Sequence, residues 1–220
     1  MDRNKVFNLL RKSWSVSWPM ILIMFFEFLI SMTDVYIAGK INKEVQATIG
    51  LVSQIYFMFI VISNSITVGT VSVVSRLFTS KKEDELSAAI FSILITTGFF
   101  GIIFSLLGIA TADDIIYFLH IPQEIKNYGI PLIKIYAIGL FFHYFLVNTN
   151  GILRATKRVK YSLFTMFLAS MLNISLNFFF VFYTPLGFKG IALSTVISVI
   201  VASCVNIYHT ISFITFKKYN

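Results

Sequence analysis

Residues 13–37 read SWSVSWPMILIMFFEFLISMTDVYI, and this stretch decides the fold of the chain. It belongs to a run of 27 residues between Lys12 and Lys40 in which only Glu27 and Asp34 are charged. At 1.5 Å per residue such a helix is about 40 Å long, which exceeds the roughly 30 Å hydrocarbon core of a bilayer. The stretch therefore predicts a transmembrane helix.

The two acids are the least favourable residues of this predicted helix. A carboxylate deep in a bilayer costs about 2.5–3.5 kcal/mol even on insertion-based scales. Because Glu27 and Asp34 are seven residues apart, nearly two helical turns, both project from one face, which we expect to look into protein or water. The alternative for Asp34 is a position near the membrane interface, six residues before Lys40. The alternative for Glu27 is a structural pairing with a polar partner.

Composition indicates a membrane protein throughout. The chain is 57% hydrophobic and only 13% charged, and its one cysteine, Cys204, excludes an internal disulfide. The net charge of +8 comes from basic residues that lie in short gaps between long apolar runs. We therefore expect no nucleic-acid partner, and a lipid bilayer as the surroundings.

The apolar runs predict an all-α bundle of six transmembrane helices, with a basic cytoplasmic arm before it and a cytoplasmic tail after it. The longest polar break, residues 113–128, divides the helices into two groups of three, and residues 115–119 are expected to form an interfacial turn there. The predicted arm is 1–12, the membrane lobe 13–216 and the tail 217–220, with approximate helices at 13–37, 48–75, 86–110, 129–151, 161–184 and 190–214.

The basic residues predict the orientation. If the amino terminus is cytoplasmic, thirteen of the eighteen lysines and arginines lie in cytoplasmic segments and four outside, while Lys134 falls within the fourth helix. Cytoplasmic loops of membrane proteins carry such an excess of positive charge. We therefore expect both termini in the cytoplasm and a multi-pass protein of the plasma membrane.

Several short motifs resemble one transporter family. Ser31-Met-Thr-Asp-Val-Tyr-Ile-Ala-Gly39, behind Pro19, resembles the first helix of the multidrug and toxic compound extrusion (MATE) transporters. Gly151-Ile-Leu-Arg-Ala155 resembles the end of the family's fourth helix. Asn173-Ile-Ser-Leu-Asn177 and Gly187-Phe-Lys-Gly-Ile-Ala-Leu-Ser-Thr195 resemble its fifth and sixth helices. Family members have twelve helices in two lobes, so the resemblance implies the amino-terminal six-helix lobe only.

The resemblance implies a secondary active antiporter that exports amphipathic or cationic compounds in exchange for protons or Na⁺, without a cofactor. By position, Asp34 matches the acid that takes up the coupling ion. Asn150, Asn173 and Thr195 match polar groups of the same pocket. Asn177 stands where some members have a second Asp. The resemblance also implies a small-molecule substrate and a second six-helix lobe, either a separate chain or a second copy.

The residues themselves leave some assignments open. Asn173 and Asn177 are one turn apart and share a helix face, which fits either a binding site or interhelical hydrogen bonds. His143 and His209 have no carboxylate or cysteine at ligand spacing, so no metal site is predicted. The chain has no glycine-rich phosphate loop, CxxC or HExxH motif, so we do not expect an enzyme.

Two functions other than efflux are compatible with a six-helix membrane lobe. One is a flippase for a lipid-linked saccharide, and the other is a truncated, non-transporting membrane scaffold. A flippase is expected to line its cavity with arginine and lysine to hold pyrophosphate. The predicted helices contain acids and only Lys134 as a base, which favours efflux of neutral or cationic solutes.

Overall fold

The computed structural model describes residues 3–120 and 122–219, and within these ranges it contains helices and short connections but no β-strand. Six of the helices are long and apolar enough to cross a membrane, and the exception is α4. This confirms the predicted all-α membrane lobe of six transmembrane helices. The helices are α1 (Arg3–Ile41), α2 (Lys43–Thr79), α3 (Glu83–Ala110), α4 (Ala112–Phe118), α5 (Gln123–Ala155), α6 (Val159–Tyr183) and α7 (Lys189–Tyr219).

Most of the helices extend beyond the predicted apolar runs at both ends, whereas α3 ends at the predicted residue 110 and α6 ends at Tyr183, one residue before the predicted end. Residues 3–12, predicted as an arm, continue α1, and residues 217–219, predicted as a tail, continue α7. Hydropathy identifies only the part of a helix that lies in the hydrocarbon core of the bilayer, whereas the backbone hydrogen bonds of the helix continue into polar surroundings. Residues 1, 2 and 220 of the predicted arm and tail lie outside the described ranges.

The long polar break contains a short helix where the sequence predicted a turn at 115–119. This helix, α4, begins with Asp113 and Asp114 in its first turn, where acidic residues favour a helix N-terminus. Asp113 Oδ2 accepts an ion pair from Lys134 Nζ at 2.8 Å, with both side chains about half exposed. Lys134, the one base predicted inside a transmembrane helix, therefore has a partner, and the ion pair links α4 to α5.

Helix α5 is the centre of the bundle and packs extensively against α2, α3 and α7. Small residues on α3 allow the close approach of that helix. A Cβ added at Gly108 would lie 3.0 Å from Ala137 Cβ, and one added at Gly101 would lie 3.2 Å from the backbone oxygen of Phe141. Interfaces between transmembrane helices are enriched in such residues because packing, not the hydrophobic effect, holds the helices together in lipid.

A buried polar network joins α5 to α2 in the middle of the bundle. Asn148 Oδ1 accepts a hydrogen bond from Thr70 Oγ1 at 3.2 Å. Asn148 Nδ2 donates to Ser63 Oγ at 3.3 Å and to the backbone oxygen of Tyr144 at 3.0 Å. Interhelical hydrogen bonds of this kind contribute about 0.6 kcal/mol each in membrane proteins, so the network adds modestly to the stability of the contact between the two helices.

Candidate functional site

The carboxylate of Asp34 is the centre of a buried hydrogen-bond cluster between α1, α5, α6 and α7. Its Oδ1 accepts from Asn177 Nδ2 at 2.6 Å and from Asn173 Nδ2 at 3.3 Å. Its Oδ2 accepts from Thr195 Oγ1 at 2.8 Å and from Tyr136 OH at 3.5 Å. Asp34 is only 5% exposed. Four donors from three other helices therefore satisfy a charge that the bilayer alone would strongly disfavour.

The donors of this cluster are also bonded to one another. Asn173 Nδ2 lies 3.0 Å from Thr195 Oγ1, and Asn177 Nδ2 lies 3.1 Å from Asn173 Oδ1. Both asparagines are fully buried, yet Asn177 Oδ1 has no hydrogen-bond partner among the described residues. The cluster therefore combines a carboxylate with amide and hydroxyl oxygens, the ligand type that hard cations prefer.

Apolar side chains enclose this polar cluster. Ile37 and Ala38 continue the α1 face beyond Asp34, and Ile191 and Ala192 precede Thr195 on α7, all of them buried in one hydrophobic cluster with Tyr136. Such side chains exclude water from the part of the cluster that they cover and strengthen the hydrogen bonds there. Because the partners are rigid helices, the four donors are held in place around the carboxylate.

A cavity of about 460 Å³ borders the cluster and runs between α1, α2, α5, α6 and α7. Asp34 and Thr195 lie at one end of it, and Arg154 lies at the other. Apolar side chains such as Ile23, Leu146 and Met166 form its middle. The cavity is thus suited to an elongated amphipathic molecule with polar groups at its ends.

The structure separates the predicted site residues into two groups. Asp34, Asn173, Asn177 and Thr195 meet in one cluster, and of these only Asp34 and Thr195 line the cavity. Glu27 and Asn150 also line the cavity but make no contact with that cluster. Glu27, Asp34 and Asn150 line one cavity, and the functional roles assigned to them stay predictions.

Glu27 and Asn150, the two predicted residues outside the Asp34 cluster, have different surroundings. Glu27 is exposed and has no hydrogen-bond or ion-pair partner within residues 3–120 and 122–219. No partner of the kind that the alternative of a structural pairing requires lies beside Glu27 in the described part of the lobe. Asn150 Oδ1 accepts a hydrogen bond of 2.7 Å from Asn206 Nδ2 on α7, and neither residue touches Asp34.

Sequence reasoning missed three further cavity residues. Tyr136 bonds Asp34, and its ring lies 5.2 Å from that of Tyr56, whose hydroxyl is 2.9 Å from His143 Nδ1. From the sequence alone, His143 is weighed only as a metal ligand, a role that its spacing does not favour, and neither tyrosine receives a role. The available signal was spacing, because Tyr136 and His143 are seven residues apart and so share one face of α5.

Comparison with known proteins identifies a family for this arrangement. The MatE family model matches residues 19–179, which include Asp34, Asn150, Asn173 and Asn177. The probable multidrug resistance protein YoeA of Bacillus subtilis (strain 168) is 27% identical over 150 residues, which are 64% of this chain and 32% of that protein. The uncharacterized transporter YisQ of the same organism is 20% identical over 199 residues, 89% of this chain and 43% of that protein.

Solved structures share the fold. A MATE crystal structure in the bent conformation superposes with a TM-score of 0.83 at 24% identity, over 88% of this chain and 43% of that chain. A multidrug resistance MATE family transporter of the MOP superfamily in an outward-facing conformation matches with the same values. An inward-facing conformation of a multidrug resistance MATE family transporter of the MOP superfamily matches with a TM-score of 0.78 at 23% identity, over 82% of this chain and 41% of that chain.

The chain therefore spans less than half the length of the relatives and structures that it matches. Its six transmembrane helices have the arrangement of one lobe of a MATE transporter, as the sequence motifs predicted. This is the fold of a multi-pass membrane transporter and not that of an enzyme class. With the family model covering residues 19–179 of 220, the chain belongs to the MatE family.

Proposed function

We propose that the chain forms one lobe of a secondary active efflux antiporter, which exports amphipathic or cationic compounds in exchange for protons or Na⁺. The observation that carries this proposal is Asp34, a buried carboxylate held by four hydrogen-bond donors at the edge of an apolar cavity. An ionisable residue at such a depth in a membrane protein is a candidate for an ion pathway.

Thr195 supports a link between the ion and the substrate. Its Oγ1 donates to Asp34 Oδ2 at 2.8 Å, and its side chain also lines the cavity. A proton or Na⁺ on the Asp34 carboxylate neutralises its charge and weakens the hydrogen bond that it accepts from Thr195. The Thr195 side chain can then rearrange. Ion occupancy at Asp34 thereby changes the polar wall that a substrate meets.

The buried oxygens around Asp34 also accommodate Na⁺ as a transported ion. Asn173 Oδ1, Asn177 Oδ1 and Thr195 Oγ1 lie in the same hydrogen-bond cluster as the carboxylate. Asn177 Oδ1 is buried without a partner among residues 3–120 and 122–219, so it has free capacity for a cation. Either coupling ion is therefore consistent with the cluster.

The charges of the cavity favour efflux of cationic compounds over a flippase activity. Glu27 and Asp34 supply two acids to its lining, and Arg154 supplies one base. A pyrophosphate-bearing lipid needs several cationic groups around its head, which one arginine does not provide. The apolar middle of the cavity suits the hydrophobic body of an amphipathic drug.

A second six-helix lobe completes the proposed transporter. Alternating access in such folds comes from one bundle that rocks against another around a central site. Glu27 is exposed on the cavity side of α1, and its charge would meet lipid if nothing covered it. We propose that a separate chain or a second copy covers this side. From the charge distribution, we place the assembly in the plasma membrane with both termini cytoplasmic.

The test is ethidium export by proteoliposomes that contain the transport-competent assembly, driven in turn by a pH gradient and by a Na⁺ gradient. Asp34→Asn should abolish export under whichever gradient drives the unaltered protein, with expression retained. Glu27→Gln, which removes a cavity acid outside the Asp34 cluster, is the matched control and should have a milder effect. Undiminished ion-driven export by Asp34→Asn would remove Asp34 from the mechanism.

A further inference from the structure

The N-terminus of α6 opens onto the cavity at the end opposite Asp34. The helix begins at Val159, which lines the cavity, and its N-cap residue Arg158 makes no side-chain capping hydrogen bond. Its first turn contains no acidic residue. The first backbone N–H groups of a helix lack intrahelical acceptors and carry a partial positive charge, which favours an anion.

Arg154 adds a full positive charge at the same place. It lies in the last turn of α5, lines the cavity, and forms no ion pair with any described side chain. Tyr136, the contact of Asp34 on this helix, is eighteen residues earlier. At 1.5 Å per residue this places Arg154 about 27 Å from the Asp34 cluster, so Asp34 does not neutralise it. Glu27, the other acid of the cavity lining, forms no ion pair with Arg154.

Two uncharged side chains extend this positive end. Ser162, in the first turn of α6, is 1% exposed and lines the cavity, and its hydroxyl has no hydrogen-bond partner among the described residues. Asn150 lies one turn before Arg154 and also lines the cavity. Its Oδ1 is occupied by Asn206 Nδ2 at 2.7 Å, which leaves its own Nδ2 as a donor. Arg154, Asn150, Ser162 and the first backbone N–H groups of α6 are therefore all able to donate at this end of the cavity.

We propose that Arg154, Asn150, Ser162 and the N-terminus of α6 form an anion subsite. It binds the acidic head of an amphipathic molecule, a phosphate, sulfonate or carboxylate, while the apolar body lies along Met20, Ile23 and Met166. The subsite extends the substrates of the proposed antiporter to anionic and zwitterionic amphipaths. As a transport step it rests on the proposed function, but as a binding site it does not.

Calorimetric titration of the full chain in phosphatidylcholine nanodiscs tests the subsite with 1-naphthyl phosphate, 1-naphthol and inorganic phosphate as probes. We expect naphthyl phosphate to bind more tightly than either other probe. Arg154→Gln should weaken its binding roughly tenfold or more, as loss of a charge-assisted hydrogen bond does, and Ser162→Ala roughly threefold. Lys81→Gln removes an exposed charge from the connection between α2 and α3, outside both the cavity lining and the proposed subsite, and it should change nothing.

The subsite would be overturned if Arg154→Gln and Lys81→Gln bound naphthyl phosphate equally well, or if the unaltered protein bound naphthol as tightly as naphthyl phosphate. If Arg154→Gln does not fold, the affinities of Ser162→Ala and Arg154→Lys for naphthyl phosphate are measured instead. An unchanged affinity in both variants would reject the proposal.

Nanodiscs that contain phosphatidylglycerol identify the source of the head group. If this lipid competes with naphthyl phosphate, the subsite binds lipid head groups. If the lipid does not compete, the subsite binds soluble amphipaths. Asp34→Asn should keep anion binding, so failure of ion coupling is distinguishable from failure of the subsite.

Discussion

Asn177 Nδ2 donates a hydrogen bond of 2.6 Å to Asp34 Oδ1, although the two residues are 143 positions apart in the chain. Position 177 carries a neutral amide where the sequence resemblance leads us to expect Asp in some relatives. An amide donates to the carboxylate, whereas a second acid would repel it. Asp34 is therefore the only acid among the described residues of this cluster.

Asn177→Asp should make the stability of the lobe depend on Na⁺. The substitution replaces a donor with a second carboxylate beside Asp34, and two adjacent negative charges in a dry site are unfavourable without a cation. Carboxylate and hydroxyl oxygens are ligands that hard cations prefer. We expect the melting temperature of the variant to be lower than that of the unaltered protein in choline chloride and to rise with added NaCl.

Asn177→Leu is the control for that experiment, because it removes the donor without adding a charge. Its melting temperature should fall and should respond to NaCl no more than that of the unaltered protein. An Asn177→Asp variant that melts at the same temperature in NaCl and choline chloride would contradict the cation-site interpretation of the cluster.

Gly151→Ala should destabilise the contact between α5 and α2. A Cβ at position 151 would lie 2.5 Å from Thr67 Cγ2 and 3.3 Å from Val71 Cγ2. Overpacking of this kind typically costs about 1–3 kcal/mol. Gly69→Ala on α2 is the matched control, since nothing lies within 4 Å of its added Cβ, and alanine is the better helix former.

Thermal unfolding in mild detergent measures both glycine variants. Gly151→Ala should melt at a lower temperature than the unaltered protein, and Gly69→Ala at the same or a higher one. The close approach of the two helices at Gly151 would be refuted by an equal melting temperature for the two variants.

Cysteine accessibility in intact cells tests the predicted orientation. Cys204 is exposed, so the single-cysteine variants need a Cys204→Ser background. A membrane-impermeant maleimide should label Lys126→Cys from outside and should leave Lys157→Cys unlabelled until the cells are opened. Positive residues concentrate on the cytoplasmic side of membrane proteins, which is the reason for this expectation. The reverse labelling pattern would place both termini outside the cell.

The cavity side of the lobe should be covered by a second bundle. The exposed Glu27 and the half-buried Asn150 on this side would otherwise meet lipid, where unpaired polar groups cost several kcal/mol each. Native mass measurement in mild detergent should therefore give an assembly larger than the 25.0 kDa of one chain. If the partner is a second copy, the two must be parallel, because the charge bias gives both the same orientation.

Cross-linking identifies the face that is covered. A cysteine at Met24, exposed at the cavity, should cross-link to the partner, whereas one at Phe91, exposed on α3 away from the cavity, should not. A monomer that exports ethidium from liposomes along an ion gradient would defeat the proposal of a second lobe.

The sequence alone was sufficient to predict six transmembrane helices, because insertion into a bilayer depends on the hydropathy of each window of about twenty residues. It also singled out Asp34 through the free energy of a buried charge, and it placed Asn173 and Asn177 on one face through helical spacing. Each of these properties is local, since it depends on residues within one helix. The helix ends were less predictable, because the backbone hydrogen bonds of most helices continue several residues beyond the apolar segment.

Only the tertiary structure decided which polar side chains meet. Thr195 and Tyr136 donate hydrogen bonds to Asp34. Asn150 is bonded to Asn206 and not to Asp34, and Glu27 has no partner within the described residues. The partners lie on helices separated by up to 161 positions, and their meeting depends on how the helices pack and rotate against α5. Spacing within one helix contains no information on that rotation, because side-chain packing between helices sets it.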